Sequence, residues 1–349
     1  MFRISKKNEK TFKDFLHLPT KIRIMMIDKM QPDDRCRLTR CSKSCNKEVK
    51  DSKNYIDSLK FFTFRDLLYI EVLHKKQYKE NEVPLGYNWQ FEDNGDGTKI
   101  MKCESKNKKK LWKKELDNSI DLHLYAAQHF KKLLKLYQNQ IKELVFYGIV
   151  NIEPLKNYDF EIENLNNLEE LILHDSMHFS NFISKLQRPL KRLNIEGKNS
   201  ENLSEFEEIY QVQKYIELSD TKLSYPQMLR LSAPVVTLHI GDLTEMDIYN
   251  FIKSWQIGSL GKDIRYYKWA EWEFSNFDAP NLFRLLRVTK NRGSRDVENG
   301  VPGYFGEVII YSRNRIKATL SCEVGLQSEV VFHVKTDRQL YNPIAEVNL

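Results

Sequence analysis

Cysteine is scarce in this chain, and its few copies form no ligand or disulfide pattern. Cys36, Cys41, Cys45, Cys103 and Cys322 are the five present in 349 residues. An odd number without regular spacing is not a disulfide framework. There is no Cys-x-x-Cys pair, and the Cys36/Cys41/Cys45 cluster has no fourth ligand nearby, so no zinc site is expected. Long apolar runs are missing as well. None approaches the roughly 20 residues of a membrane-spanning helix, and the opening Met1–Lys7 has no apolar signal-peptide core. The expectation is a soluble intracellular protein, cytoplasmic, nuclear or both. A large excess of one charge is also lacking. Lys and Arg total 55 against 48 Asp and Glu, a net charge of +7. That permits contact with acidic surfaces without requiring nucleic acid.

Catalytic signatures are absent too. Gly258-Ser-Leu-Gly261-Lys262-Asp263 is too short between its glycines for a phosphate-binding loop, and Asp replaces the hydroxyl that would hold magnesium. No His-Glu-x-x-His and no Gly-x-Ser-x-Gly elbow occurs. His174 and His178 stand four apart, but Asp175 is the one carboxylate beside them, which falls short of a metal set. Cys–His pairs assemble in space and stay open. The sequence therefore implies no enzyme, no cofactor and no metal.

What is present is a composition for folding, with 41% apolar residues and 12% aromatics. The most informative stretch is 16–45. Leu18 and Pro19 open a helix, Pro19 suiting a first-turn position where an N–H is not needed. Ile22, Met26 and Met30 follow at i+4 steps and Ile27 widens the stripe. Pro32-Asp33-Asp34 breaks the chain. Leu38, Cys41, Cys45 and Val49 then continue at helical spacing, the cysteines acting as small apolar residues. Short helices with this much apolar surface call for a partner.

Beyond them, Phe61–Leu73 reads as strand or short helix. Tyr87–Phe91 and Thr98–Cys103 flank Asp93-Asn-Gly-Asp-Gly97 and predict a β-hairpin. As a calcium loop that turn fails, because Cys103 falls where a bidentate Glu is needed. Lys106–Lys114 is a basic block, read as a solvated loop, a nuclear-import signal or a phosphate-binding patch.

From residue 122 the chain becomes repetitive. Ala126, Phe130, Leu133, Leu134 and Tyr137 line one helix face. The frame apolar-x-x-Leu-x-apolar then recurs around Leu144, Leu171, Leu193 and Leu238, with weaker copies around Tyr215 and Tyr267, at intervals of 22–29 residues. Between the copies, Phe179, Phe182, Ile183 and Leu186 form one helical face, and Ile248, Phe251, Ile252 and Trp255 another, with Thr244 as N-cap. Strand, turn, helix and return at that period predict parallel strands in a leucine-rich-repeat-like solenoid. The positions that would hold the repeat's Asn carry Ile149, Ser176, Lys198 and Leu243, so the array should be irregular. Glu307–Tyr311, Arg315–Cys322 and Glu329–Val334 alternate as a β-meander and should cap it.

The order Leu18-Pro19, Ile22, Met26-Ile27, Met30, Pro32, Leu38 and Cys41-Ser42-Lys43 resembles the F-box, and the layout as a whole resembles nematode F-box proteins with a type-2 F-box-associated domain. That resemblance implies a mixed α+β, α/β chain: an F-box over 12–52, connecting strands over 53–118, a repeat-like associated domain over 119–290 and a meander over 291–349. It implies a substrate receptor that binds the Skp adaptor, and through it a cullin, by Leu18, Pro19, Ile22, Met26, Ile27, Met30, Leu38, Cys41, Ser42 and Lys43. An unidentified target protein would be held by the C-terminal region. Lys21 and Arg35 depart from the family, which usually has an acidic and an aliphatic residue there. They keep open a ligase-independent scaffold. Trp269, Trp272 and Phe274 lie in an aromatic-rich segment that is either a target-binding surface or solenoid core.

Overall fold

The computed structural model describes residues 15–30, 32–52, 56–64, 67–74, 85–95, 97–105, 111–148, 165–174, 179–197, 201–219, 223–239, 244–260, 263–271, 278–287, 297–298, 301–302, 304–324 and 328–335. It is a mixed α/β protein that divides into two compact units. One holds residues 1–144 and 152–168, the other 145–151 and 169–349.

After helical residues 15–17, the described part of the first unit continues with three short helices, α1 (Thr20–Ile27), α2 (Pro32–Leu38) and α3 (Lys43–Asp51). Pro19 is the N-cap of α1, one step before the first-turn position that its chemistry suggests. Pro32 starts α2 rather than breaking the chain before it. Ser42 caps α3 by accepting the Cys45 N–H at 3.0 Å. Phe15, Ile27, Leu38, Cys45 and Val49 form the helical core, with Leu18, Met30 and Leu136 packed against it. Strands β1 (Ser58–Phe64), β2 (Leu67–His74), β3 (Leu85–Asp93), β4 (Lys99–Ser105) and β5 (Leu111–Leu116) pair successively antiparallel. The open choice at Phe61–Leu73 thus resolves as a strand hairpin. The β3–β4 turn uses Gly95 and Gly97 at φ 77° and 89°, a region that favours glycine. Helix α4 (Leu122–Tyr137), capped by Asp121, buries Ala126, Phe130, Leu133, Leu134 and Tyr137 in this unit, although the sequence pattern groups it with the repeats.

Strand β6 (Glu143–Tyr147) straddles the division. In the second unit β7 (Glu170–His174), β8 (Arg192–Glu196), β9 (Tyr215–Leu218), β10 (Val235–His239) and β11 (Tyr266–Glu271) are parallel neighbours. Their connections carry α5 (Ser180–Ile183), α6 (Glu207–Tyr210), α7 (Tyr225–Arg230) and α8 (Glu245–Ile257); α9 (Ala279–Leu285) follows β11. A backbone device repeats at the strand entries. The Glu169 carbonyl accepts Lys191 and Arg192 N–H, Lys191 accepts Lys214 and Tyr215, and Pro234 accepts Arg265 and Tyr266. A short β12 (Val297–Glu298) pairs with β13 (Val301–Pro302). The meander β14 (Tyr304–Tyr311), β15 (Lys317–Val324) and β16 (Ser328–Lys335) joins antiparallel through β16 to β11, making a large mixed sheet.

Two apolar rows line the buried face. One runs Leu171, Leu193, Ile216, Val236, Tyr267; the other Leu173, Ile195, Leu218, Leu238, Trp269. This corrects two register expectations. Leu238 sits one row beyond Leu171 and Leu193, and Ile216, not Tyr215, points inward. Because strand side chains alternate, a one-residue offset changes the face. Phe182 on α5 and Phe251 on α8 are buried.

Candidate protein-interaction site

The N-terminal helices bury less apolar surface than they own. Ile22, Met25 and Met26 share one face of α1 at i, i+3 and i+4, and with Leu16 they are 42–59% exposed. Pro19 is exposed just before them, as are Cys41, Ser42 and Lys43. Ile27 and Leu38 are core, and Leu18 and Met30 pack partly buried against it. The sequence-derived set therefore splits into a surface group (Pro19, Ile22, Met26, Cys41, Ser42, Lys43) and a supporting group (Leu18, Ile27, Met30, Leu38). Met25 and Leu16 were missed; Met25 was accessible to the i+3 rule from Ile22.

The patch faces out because α1 is pinned from behind. Arg23 forms an ion pair with buried Glu48 on α3, with Nε 2.9 and 3.0 Å from the two carboxylate oxygens, and donates to the Leu16 and Leu18 carbonyls. The hydrogen bond from Arg23 holds the Glu48 carboxyl below its ordinary range.

The two departures from the F-box pattern lie differently. Lys21 is exposed. Arg35 is buried; its Nε donates to the Met30 carbonyl at 3.1 Å and it hydrogen-bonds Tyr137 of α4. Burial lowers the Arg35 pKa and raises that of Tyr137. Beside them the Asp33 carboxylate accepts Trp89 Nε1–H at 3.3 Å and lies 3.8 Å from His129 Nε2. Burial pushes the His129 pKa down to about 4 and the Cys36 thiol up to about 12.

Trp269 is fully buried. Its Nε1–H points at Met228 Sδ, 3.1 Å away, and its ring meets Phe251 edge-on at 5.2 Å. That removes it from a target-binding surface, because period-two alternation puts it with Tyr267 in the core. Trp272 and Phe274 lie outside the described residues. So does His178.

The opposite face of the parallel strands is polar and half-buried. His174 Nε2 lies 2.5 Å from Glu196 Oε2, Asn194 donates to Glu196 Oε1 at 2.6 Å, and Tyr215 donates to Glu217 at 2.6 Å. His239 is 3.6 Å from Glu217. The hydrogen bond from His174, with that from Asn194, keeps the Glu196 carboxyl below its ordinary range. Among the described residues no group of three or more His, Cys, Asp or Glu could hold a metal ion, and no helix is long and apolar enough to cross a membrane.

Comparison with known proteins finds no matching family model, no curated relative and no solved structure that matches.

Proposed function

We propose that this chain is the substrate-recognition subunit of a Skp-cullin-F-box ubiquitin ligase, a non-catalytic receptor. In this reading the N-terminal helices are the F-box and the parallel strands form an irregular leucine-rich-repeat-like array that presents the target-binding surface. The observation that carries it is the exposed apolar stripe Pro19, Ile22, Met25, Met26 on a helix pinned to its neighbour from behind. An apolar patch held outward on a small helical subdomain marks a protein-binding site. A receptor needs no catalytic group, because it acts by raising the effective concentration of target lysines near the ubiquitin conjugate. The inward turn of Arg35 supports the reading, since that departure from the family leaves the adaptor-facing stripe apolar. Exposed Lys21 favours the rival, a ligase-independent scaffold with a degenerate F-box.

Burying two or three such side chains is worth roughly 1.5–3 kcal/mol each. Ile22→Ser with Met26→Ser should therefore weaken capture of a Skp adaptor in pull-down titrations by at least tenfold without lowering Tm. Failure of the unsubstituted chain to retain any Skp adaptor leaves the scaffold as the function.

A further inference from the structure

We propose that the Met25 and Met26 thioethers are sites of reversible oxidation by a hydroperoxide, and that the resulting sulfoxides switch off partner capture by the α1 stripe. The inference deepens the receptor reading, on which it rests, by giving that site a regulation. Two of the three stripe side chains on α1 are methionines, Met25 at 59% and Met26 at 42% exposure, with Ile22 beside them. Exposure decides which thioethers a small oxidant reaches. Met101 and Met228 are buried, the latter with its sulfur against Trp269 Nε1–H, and Met30 packs against the helical core. Among the described residues Met246 on α8 is the third exposed methionine, and it lies in the second unit.

The sulfur lone pair attacks a peroxide oxygen. An S–O bond forms as the O–O bond breaks; sulfur loses two electrons, the hydroperoxide gains them, and water or an alcohol leaves. Return needs a methionine sulfoxide reductase and a dithiol, which becomes a disulfide while the oxygen departs as water. Oxidation turns an apolar, adaptable side chain into a polar one. On free α1 this costs little, because the oxygen meets water. Exposed Lys21, one turn before Met25, stands at the spacing where its ammonium can donate to that oxygen. The Arg23–Glu48 pair that pins α1 lies behind the helix and is untouched. In a docked apolar interface the same oxygen loses its water without a replacement, so the penalty falls on binding. The exposed Cys41 thiol competes poorly. Partial desolvation, with Cys45 nearby, raises its pKa and keeps the reactive thiolate scarce.

The test treats the full chain with hydrogen peroxide, reads oxygen uptake at each methionine by peptide mass spectrometry, and titrates capture of a purified Skp adaptor. Conversion of both residues to sulfoxides should weaken capture at least tenfold at unchanged Tm. Dithiothreitol alone, which reverses cysteine sulfenates and disulfides, should not restore it. Sulfoxide reductases for both epimers, with dithiothreitol, should. Each variant is compared with itself before and after peroxide: Met25→Leu with Met26→Leu should show no change across the treatment, and Met246→Leu the full loss. Adaptor bound beforehand should slow oxidation at Met25 and Met26 but not at Met246. The proposal is overturned by capture that survives both sulfoxides, by full loss in the double-Leu variant, or by restoration with dithiothreitol alone. A fall in Tm on oxidation, or equal oxidation rates with and without adaptor, also overturns it. Any of these leaves adaptor capture by the reduced chain standing. Failure of the reduced chain to capture any Skp adaptor defeats the receptor reading itself, and this regulation with it.

Discussion

Arg35 shows how a residue unsuited to one role serves another. An arginine among apolar helix positions threatens a hydrophobic interface if it points outward. Here it points inward, where bonds to the Met30 carbonyl and Tyr137 offset part of a burial cost that still lowers its pKa. His129 is the more testable neighbour. Its ring is wedged between Trp89 at 5.2 Å and Phe91 at 6.1 Å, and its folded pKa is about 4 against an ordinary 6.5. The unfolded chain therefore binds a proton that the folded chain refuses across that window. Stability is full above about pH 6.5 and is lost as pH falls toward 4. The drop attributable to this group is about 3 kcal/mol, from 1.36 kcal/mol per pKa unit. Urea unfolding at a series of pH values should show it, and His129→Phe should flatten that portion of the profile. A parallel loss in the substituted protein would remove His129 as the cause.

At the scale of elements, the features legible in the sequence are those decided by near neighbours. The β3–β4 turn follows from its glycines, and the buried faces of α4 and α8 follow from apolar spacing. Thr244 is another such case. It accepts the Asp247 N–H at 3.3 Å while Asp247 accepts the Thr244 N–H at 3.0 Å, a reciprocal cap that satisfies donors the helix leaves open. At the other end Gly258, at φ 77°, closes α8 in the left-handed conformation. Thr244→Ala should cost about 1 kcal/mol in denaturant midpoint analysis, with no change in adaptor capture. A cost near zero would mean that tertiary packing alone holds the first turn. What was not legible among the elements is register. A frame centred on Tyr215 and one centred on Ile216 look alike in sequence, and cross-strand packing against Leu193 and Val236 makes the choice.

For the whole molecule, much of the order of elements was readable, from N-terminal helices through the hairpin and parallel strands to the meander. The two-unit division was less so, because nothing local tells α4 which core it will enter. The candidate site divides the same way. Ile22 and Met26 were identifiable from helical spacing and Pro19 from its fitness for a helix start, whereas Trp269 was ambiguous, since an aromatic on a strand has the same sequence signature on either face. The structure makes it part of the second unit's core, in contact with Phe251 and Tyr267 at 5.2 and 5.5 Å. Core and interface assignments give opposite outcomes on truncation. Trp269→Ala should cost roughly 3–5 kcal/mol, the range for emptying a large buried aromatic site. Denaturant unfolding followed by circular dichroism would measure it. The substitution leaves the apolar stripe on α1 untouched, so adaptor capture by the fraction that remains folded should match the unsubstituted chain. A stable Trp269→Ala protein that loses its protein partners would return this tryptophan to the surface.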